Sequence, residues 1–158
     1  MKALLVLILT ALVSGCGFQL RGVASLPFET VFVPGVTSGV ALDLKRNIQA
    51  GTKTRVVNDP KEAQGILQFS QELREKVILS LNSAGRVSEF QLRYSVGFRV
   101  HDGKGRDFVP QNVIQLTRDV SFNDAEILSK ESEEQFLYRD MQADMAQLIM
   151  RRIAASQK

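Results

Sequence analysis

Between Ile66 and Leu81 the apolar residues Leu67, Phe69, Leu73, Val77, Leu79 and Leu81 all fall on odd positions, interrupted only by Gln71 and Glu75. A period of two places such residues on one face of an extended strand. Asn82-Ser83-Ala84-Gly85 is a hairpin turn, after which the parity changes. Phe90, Leu92, Tyr94, Val96, Phe98 and Val100 then alternate with Gln91, Arg93, Ser95 and Arg99. Asp102-Gly103-Lys104-Gly105 turns the chain again, and Phe108 to Phe122 predicts a third long strand. Ile114, Leu116, Val120 and Phe122 lie on one side of it, Val113, Gln115, Thr117 and Asp119 on the other. Three long strands joined by tight turns make an antiparallel meander with one apolar and one polar face.

The flanking segments read differently. Glu29 to Pro34 is a β-branched and aromatic run closed by Pro34-Gly35, which predicts one more strand. Ser38 offers a helix N-cap, Val40, Leu44 and Ile48 recur at helical spacing, and Gly51 is a natural stop. Arg55-Val56-Val57 precedes the turn signal Asn58-Asp59-Pro60 and has the makings of a short strand without an evident pairing. Beyond Phe122 the period lengthens to that of a helix, with Asn123 and Glu126 as a capping pair and a stripe through Leu137, Met141, Met145, Leu148 and Ile153. The order β-α-β-β-β-α predicts an α+β, two-layer sandwich: a mostly antiparallel four-stranded sheet covered on one face by two helices.

The N-terminus adds an address. Lys2, the aliphatic run Ala3 to Val13 and the small residues before Cys16 have the three parts of a secretory signal. The run is too short to span a bilayer, which takes about 20 apolar residues. Val13-Ser14-Gly15-Cys16 turns the only cysteine into a lipidation site, S-diacylglycerol on the thiol and N-palmitoyl on the freed amine. Gly17, where an aspartate would retain a lipoprotein in the inner membrane, points to the outer membrane. The expected division is a signal peptide over residues 1–15, a lipidated tether over 16–28 and a single α+β domain over 29–158. With the thiol acylated no intramolecular disulfide remains, so the core alone must hold the fold.

Charge and chemistry narrow the function. The net charge of the whole chain is +3, and loss of Lys2 lowers it by one, too little for bulk attraction to nucleic acid. His101 is the only histidine and sits beside a Gly-rich turn, the place of an exposed loop side chain. Glu72 and Glu75 are three apart in a strand and point to opposite faces, which removes the simplest paired-carboxylate site. No metal-ligand cluster, phosphate-cradling Gly loop or Gly-x-Ser-x-Gly elbow is present in the sequence. A non-enzymatic binding or assembly protein without a cofactor is expected.

Cys16-Gly17-Phe18-Gln19-Leu20-Arg21-Gly22 is similar to the opening of the lipopolysaccharide-assembly lipoprotein family LptE, in which the mature chain begins Cys-Gly-(aromatic)-x-Leu-Arg. The β-α-β-β-β-α order, the Gly hairpin running into Glu89-Phe90-Gln91 and the Lys130 region before the final helix extend the likeness over the whole chain. The resemblance implies an outer-membrane, periplasm-facing lipoprotein that assembles, stabilises and plugs the LptD β-barrel as a 1:1 complex and binds lipopolysaccharide. The family's ligand-binding cations lie in the hairpin between the first two long strands and just before the last helix. Lys130 matches the second position; the first falls on Ser83, a departure, with Arg86 across the same turn as its replacement. Arg93, Arg99 and Arg118 are secondary candidates, and Gln19, Leu20 and Arg21 are candidates for contact with the barrel. Two other readings remain. An auxiliary lipoprotein of a phospholipid (MCE-type) transport system shares a lipobox and an α+β domain but leaves the Cys-Gly-Phe-Gln-Leu-Arg opening unexplained. A lipid-anchored periplasmic hydrolase needs a catalytic constellation.

Overall fold

The most regular alternation in the sequence becomes the middle strand of the three-stranded meander. In a computed structural model, which describes residues 25–35, 39–123 and 127–156, strand β4 (Val87–His101) buries Leu92, Tyr94, Val96, Phe98 and Val100 completely. β3 (Gly65–Leu81) and β5 (Asp107–Ser121) flank it, both antiparallel. β1 (Thr30–Phe32) lies beside β3 and β2 (Arg55–Val57) beside β1, both pairings parallel, so the sheet order is β2-β1-β3-β4-β5. The expected four-stranded sheet therefore has a fifth strand. Helix α1 (Gly39–Gly51) supplies the crossover that parallel neighbours require, and burial of Val40, Ala41, Leu44 and Ile48 presses it onto the sheet.

Helix α2 (Ile127–Ala155) covers the same face. Its buried stripe runs through Tyr138, Met141, Met145, Ala146, Ile149 and Ile153, whereas Leu137 and Leu148, expected at its centre, are half-buried. Tyr138 can take a central place because its hydroxyl reaches the backbone carbonyl of Glu75 at 2.7 Å, so its polar tip is satisfied. Packing also reaches back into the segment read as tether. Leu26 and Phe28 belong to the core, and the Phe28 ring meets Phe108 edge-on at 5.4 Å.

The main departure from the sequence reading is on β3. Phe69 pairs with Phe98, but the next partner of β4 is Gln71, opposite Gly97, so Ser70 is an inserted residue. A one-residue bulge inverts the facing of everything beyond it. From there Glu72, Arg74, Lys76 and Ile78 pair with the core-facing Val96, Tyr94, Leu92 and Phe90 and lie on the helix side. Leu73 and Val77, expected in the core with Leu67 and Phe69, go to the uncovered face, and Leu73 is 48% exposed. Glycine suits the position opposite the bulge, since a Cβ on Gly97 would press on the side chains of Ser70 and Gln71 and force them to shift.

Candidate functional site

The β3–β4 turn and the start of α2 meet at one end of the sheet. Asn82 organises the turn, its side-chain oxygen accepting from the backbone N–H of Ala84 and of Arg86 at 3.0 Å each. Gly85 takes the positive φ of +75° that closes it. This presents Arg86 on the surface. Across β4, Glu89 pairs with Ser121 and Phe122 N–H donates to Ser88 O, which brings the end of β5 to the hairpin end. Lys130, in the first turn of α2, donates to Ser121 Oγ at 3.2 Å and to Glu133 Oε2 at 2.8 Å. A guanidinium and an ammonium at one end suit a ligand with anionic groups, phosphate above all.

Lys130 is held by Glu133, with 17% of its side chain exposed. An anion must compete with that carboxylate, which is itself 46% exposed, and an ion pair open to solvent on one side contributes about 0.2–1 kcal/mol. Glu133→Gln should therefore tighten binding of a phosphorylated amphiphile by up to about fivefold. Unchanged affinity in a fluorescence titration with lipid A would place the ligand away from Lys130.

The other candidate cations do not converge there. Arg93 lies on the uncovered face between Glu75 and Thr117, with Nε donating to Gln91 Oε1 at 3.0 Å. Arg99 is on the same face six residues along β4, roughly 20 Å away, and donates to Gln68 Oε1 at 2.7 Å. Arg118 is on the helix side, paired with Asp144 of α2 at 2.9 Å. Lys76 is the cation that sequence reasoning missed. The bulge carries it to the helix side, where Nζ sits 2.6 Å from Glu134 Oε2 and 4.4 Å from the centroid of Phe90. Phe90 packs edge-on against Phe122 at 5.1 Å, and Ile78 beside them is 59% exposed. Cation, rings and exposed aliphatic surface together match the two halves of an amphiphile. The polar doublet Ser70-Gln71 is the only trace of the bulge in the sequence.

A polar network joins the free edge of β3 to both helices. Tyr94 donates to Glu72 Oε1 at 2.5 Å, and Arg74 lies over the rings of Tyr94 and Tyr138. Arg74 also donates to Gln142 Oε1 at 2.7 Å, and Gln142 Nε2 to Asp43 of α1 at 2.6 Å. Burial first, then the bond to Glu72, pushes the Tyr94 hydroxyl well above the ordinary tyrosine range. A raised folded-state pKa contributes stability that is intact below about pH 10, the unfolded value, and lost as pH rises beyond it. Denaturant midpoints should fall above pH 10 and fall less in Tyr94→Phe, which at neutral pH costs about 1 kcal/mol for the lost hydrogen bond. Equal slopes in both proteins would place the alkaline loss elsewhere.

Cys16, Gln19, Leu20 and Arg21 lie outside the described residues. Among the described residues no group of three or more His, Cys, Asp and Glu side chains is placed to hold a metal ion, and no helix is long and apolar enough to cross a membrane. His101 Nδ1 accepts from Gly103 N–H at 3.0 Å and so serves its own turn.

Residues 22–153 match the family model described as "LptE: Lipopolysaccharide-assembly". The solution structure of an uncharacterized lipoprotein B from Nitrosomonas europaea is similar, with 43% identity over 88% of this chain and 91% of that one and a TM-score of 0.75. The crystal structure of rare lipoprotein B from Shewanella oneidensis shares 20% identity over 80% and 95% of the two chains, TM-score 0.70. A minor lipoprotein from Acinetobacter baumannii shares 23% over 84% and 92%, TM-score 0.63. The last two bear on the fold alone. No curated protein matches the chain.

Proposed function

Because the chain belongs to the LptE lipopolysaccharide-assembly family, we propose that it is an outer-membrane lipoprotein that assembles, stabilises and plugs an LptD-like β-barrel in a 1:1 complex and binds lipopolysaccharide on its way to the outer leaflet. The family is one of non-enzymatic lipoproteins. The match over residues 22–153 carries the reading, and the convergence of Arg86 and Lys130 at the hairpin end supports the ligand half of it. Lipid on Cys16 would hold the domain at the periplasmic side of the membrane, with Gln19, Leu20 and Arg21 as the first residues to meet the barrel wall. A barrel with a wide polar lumen tolerates a folded plug, and the uncovered sheet face offers it Gln68, Gln71, Gln91, Gln115 and Thr117 as hydrogen-bonding groups.

The ligand and the partner are tested together by purifying the tagged lipoprotein from detergent-solubilised outer membrane. A barrel protein in equimolar amount with bound lipopolysaccharide is expected. Recovery with phospholipid-transport components and no barrel would overturn the proposal.

A further inference from the structure

β3 and β5 both end the long-strand part of the sheet, yet their outer edges are built differently. β1 covers β3 only at Gly65 and Ile66. The rest of the β3 edge is broken by register shifts at Phe69/Gln71 and around Ser80, carries Glu72, Arg74, Glu75 and Lys76, and has the Glu75 carbonyl taken by the Tyr138 hydroxyl. These are the devices by which a sheet edge avoids pairing with another chain. β5 lacks them along most of its length. From Phe98↔Asn112 to Glu89↔Ser121 it runs in unbroken register with β4, and no strand among the described residues lies on its outer side. Pro110 closes this stretch at one end, and between Gln111 and Thr117 there is no charged side chain.

The sequence of that edge is complementary to itself. Set antiparallel against a second copy about a two-fold axis through Gln115, it places Ile114 opposite Leu116, Val113 opposite Thr117, Asn112 opposite Arg118 and Gln111 opposite Asp119. No like charges face each other, and each charge meets a side-chain amide. Every opposed pair shares a face of the sheet, because the register keeps parity, so the helices of both copies stay on one side. A closed barrel wall has no unpaired edge to offer such a strand, whereas a second copy presents an identical one.

We propose that β5 is a self-association edge, through which two copies join by antiparallel β5–β5 pairing centred on Gln115 into one continuous sheet. Each then hides a strand edge that would otherwise recruit other chains, and release from the pair frees the protein for its barrel. The edge geometry is independent of the proposed function, and only the preference for a second copy over a barrel wall rests on it.

Two measurements on the full-length lipoprotein in density-matched detergent test it. Sedimentation equilibrium over a micromolar concentration series should show a reversible monomer–dimer equilibrium. Gln115→Lys, which sets two ammonium groups opposite each other on an exposed surface, should raise the dimer dissociation constant about fivefold with an unchanged circular dichroism spectrum. In the second, oxidation should cross-link Gln115→Cys to itself. Val113→Cys should cross-link to Thr117→Cys in a mixed sample, while neither links to itself, and the unsubstituted protein sets the background. A protein monomeric throughout, a dimer indifferent to Gln115→Lys, or one in which Cys at 115 links no better than the background overturns the proposal.

Discussion

Phe98→Asp should abolish folding. Phe98 is fully buried on β4, facing the helices with Phe69 and Asn112 as its cross-strand partners. Removing the ring costs about 3–5 kcal/mol by the cavity it leaves. The new carboxylate adds the penalty of a buried charge without a partner among Leu, Val and Met side chains. Together these approach or exceed the 5–15 kcal/mol that holds a typical domain. Val113→Asp is the matched control, since Val113 is 56% exposed on the opposite face. It should shift stability by no more than about 0.5 kcal/mol. The check is a thermal melt followed by circular dichroism: the first variant should show no cooperative transition and the second a normal one. A cooperative, wild-type melt for Phe98→Asp would mean that the helices cover the other face.

The second large effect concerns the hairpin end. Reversing both cations, Arg86→Glu with Lys130→Glu, removes two charge-assisted contacts to phosphate and replaces each with repulsion. At about 1.5–3 kcal/mol for a hydrogen bond to a charged group, the pair should weaken lipopolysaccharide binding by on the order of 100-fold or more. Fold and barrel association should survive, because Arg86 is exposed and the bonds of Lys130 lie at the start of a helix whose core stripe begins only at Tyr138. Arg93→Glu and Arg99→Glu are the informative comparison, as both lie on the uncovered face away from that end. Reversals there that weaken binding as much as the double variant would shift the ligand onto the sheet face.

Most of this architecture is legible along the chain, and the lapses share a cause. β4 from Glu89 to Phe98 and β5 from Asn112 to Ser121 keep a period of two in sequence and in space, so their faces are read correctly there, whereas a register shift between Asn112 and Val109 turns the odd-numbered Val109 into the core. α1 is marked at both ends by its periodic residues and by Gly51. β3 also alternates on paper, but a period-two pattern cannot show where an extra residue enters. Beyond Ser70 both parities mix polar and apolar side chains, so neither Leu73 and Val77 nor Arg74 and Lys76 announce their side. The parallel docking of β2 escapes for another reason: three residues carry too little pattern to choose a neighbour, and the choice is made by α1 and by the hydrogen bond from Thr54 Oγ1 to Phe28 O. At the candidate site resemblance points to Lys130 and to Ser83, with Arg86 as the replacement across the turn, while the placement of Arg86 and Lys130 at one end of the sheet follows from the β4–β5 register. Lys76 was hidden because its position depends on the bulge.

We propose that this lipoprotein works inside a larger barrel on the path of lipopolysaccharide. Native mass spectrometry of the complex pulled from solubilised outer membrane tests it most directly. One copy of the triacylated chain beginning at Cys16, one barrel chain and retained lipopolysaccharide are expected. A chain with an unmodified thiol, or one recovered without any barrel, would contradict it.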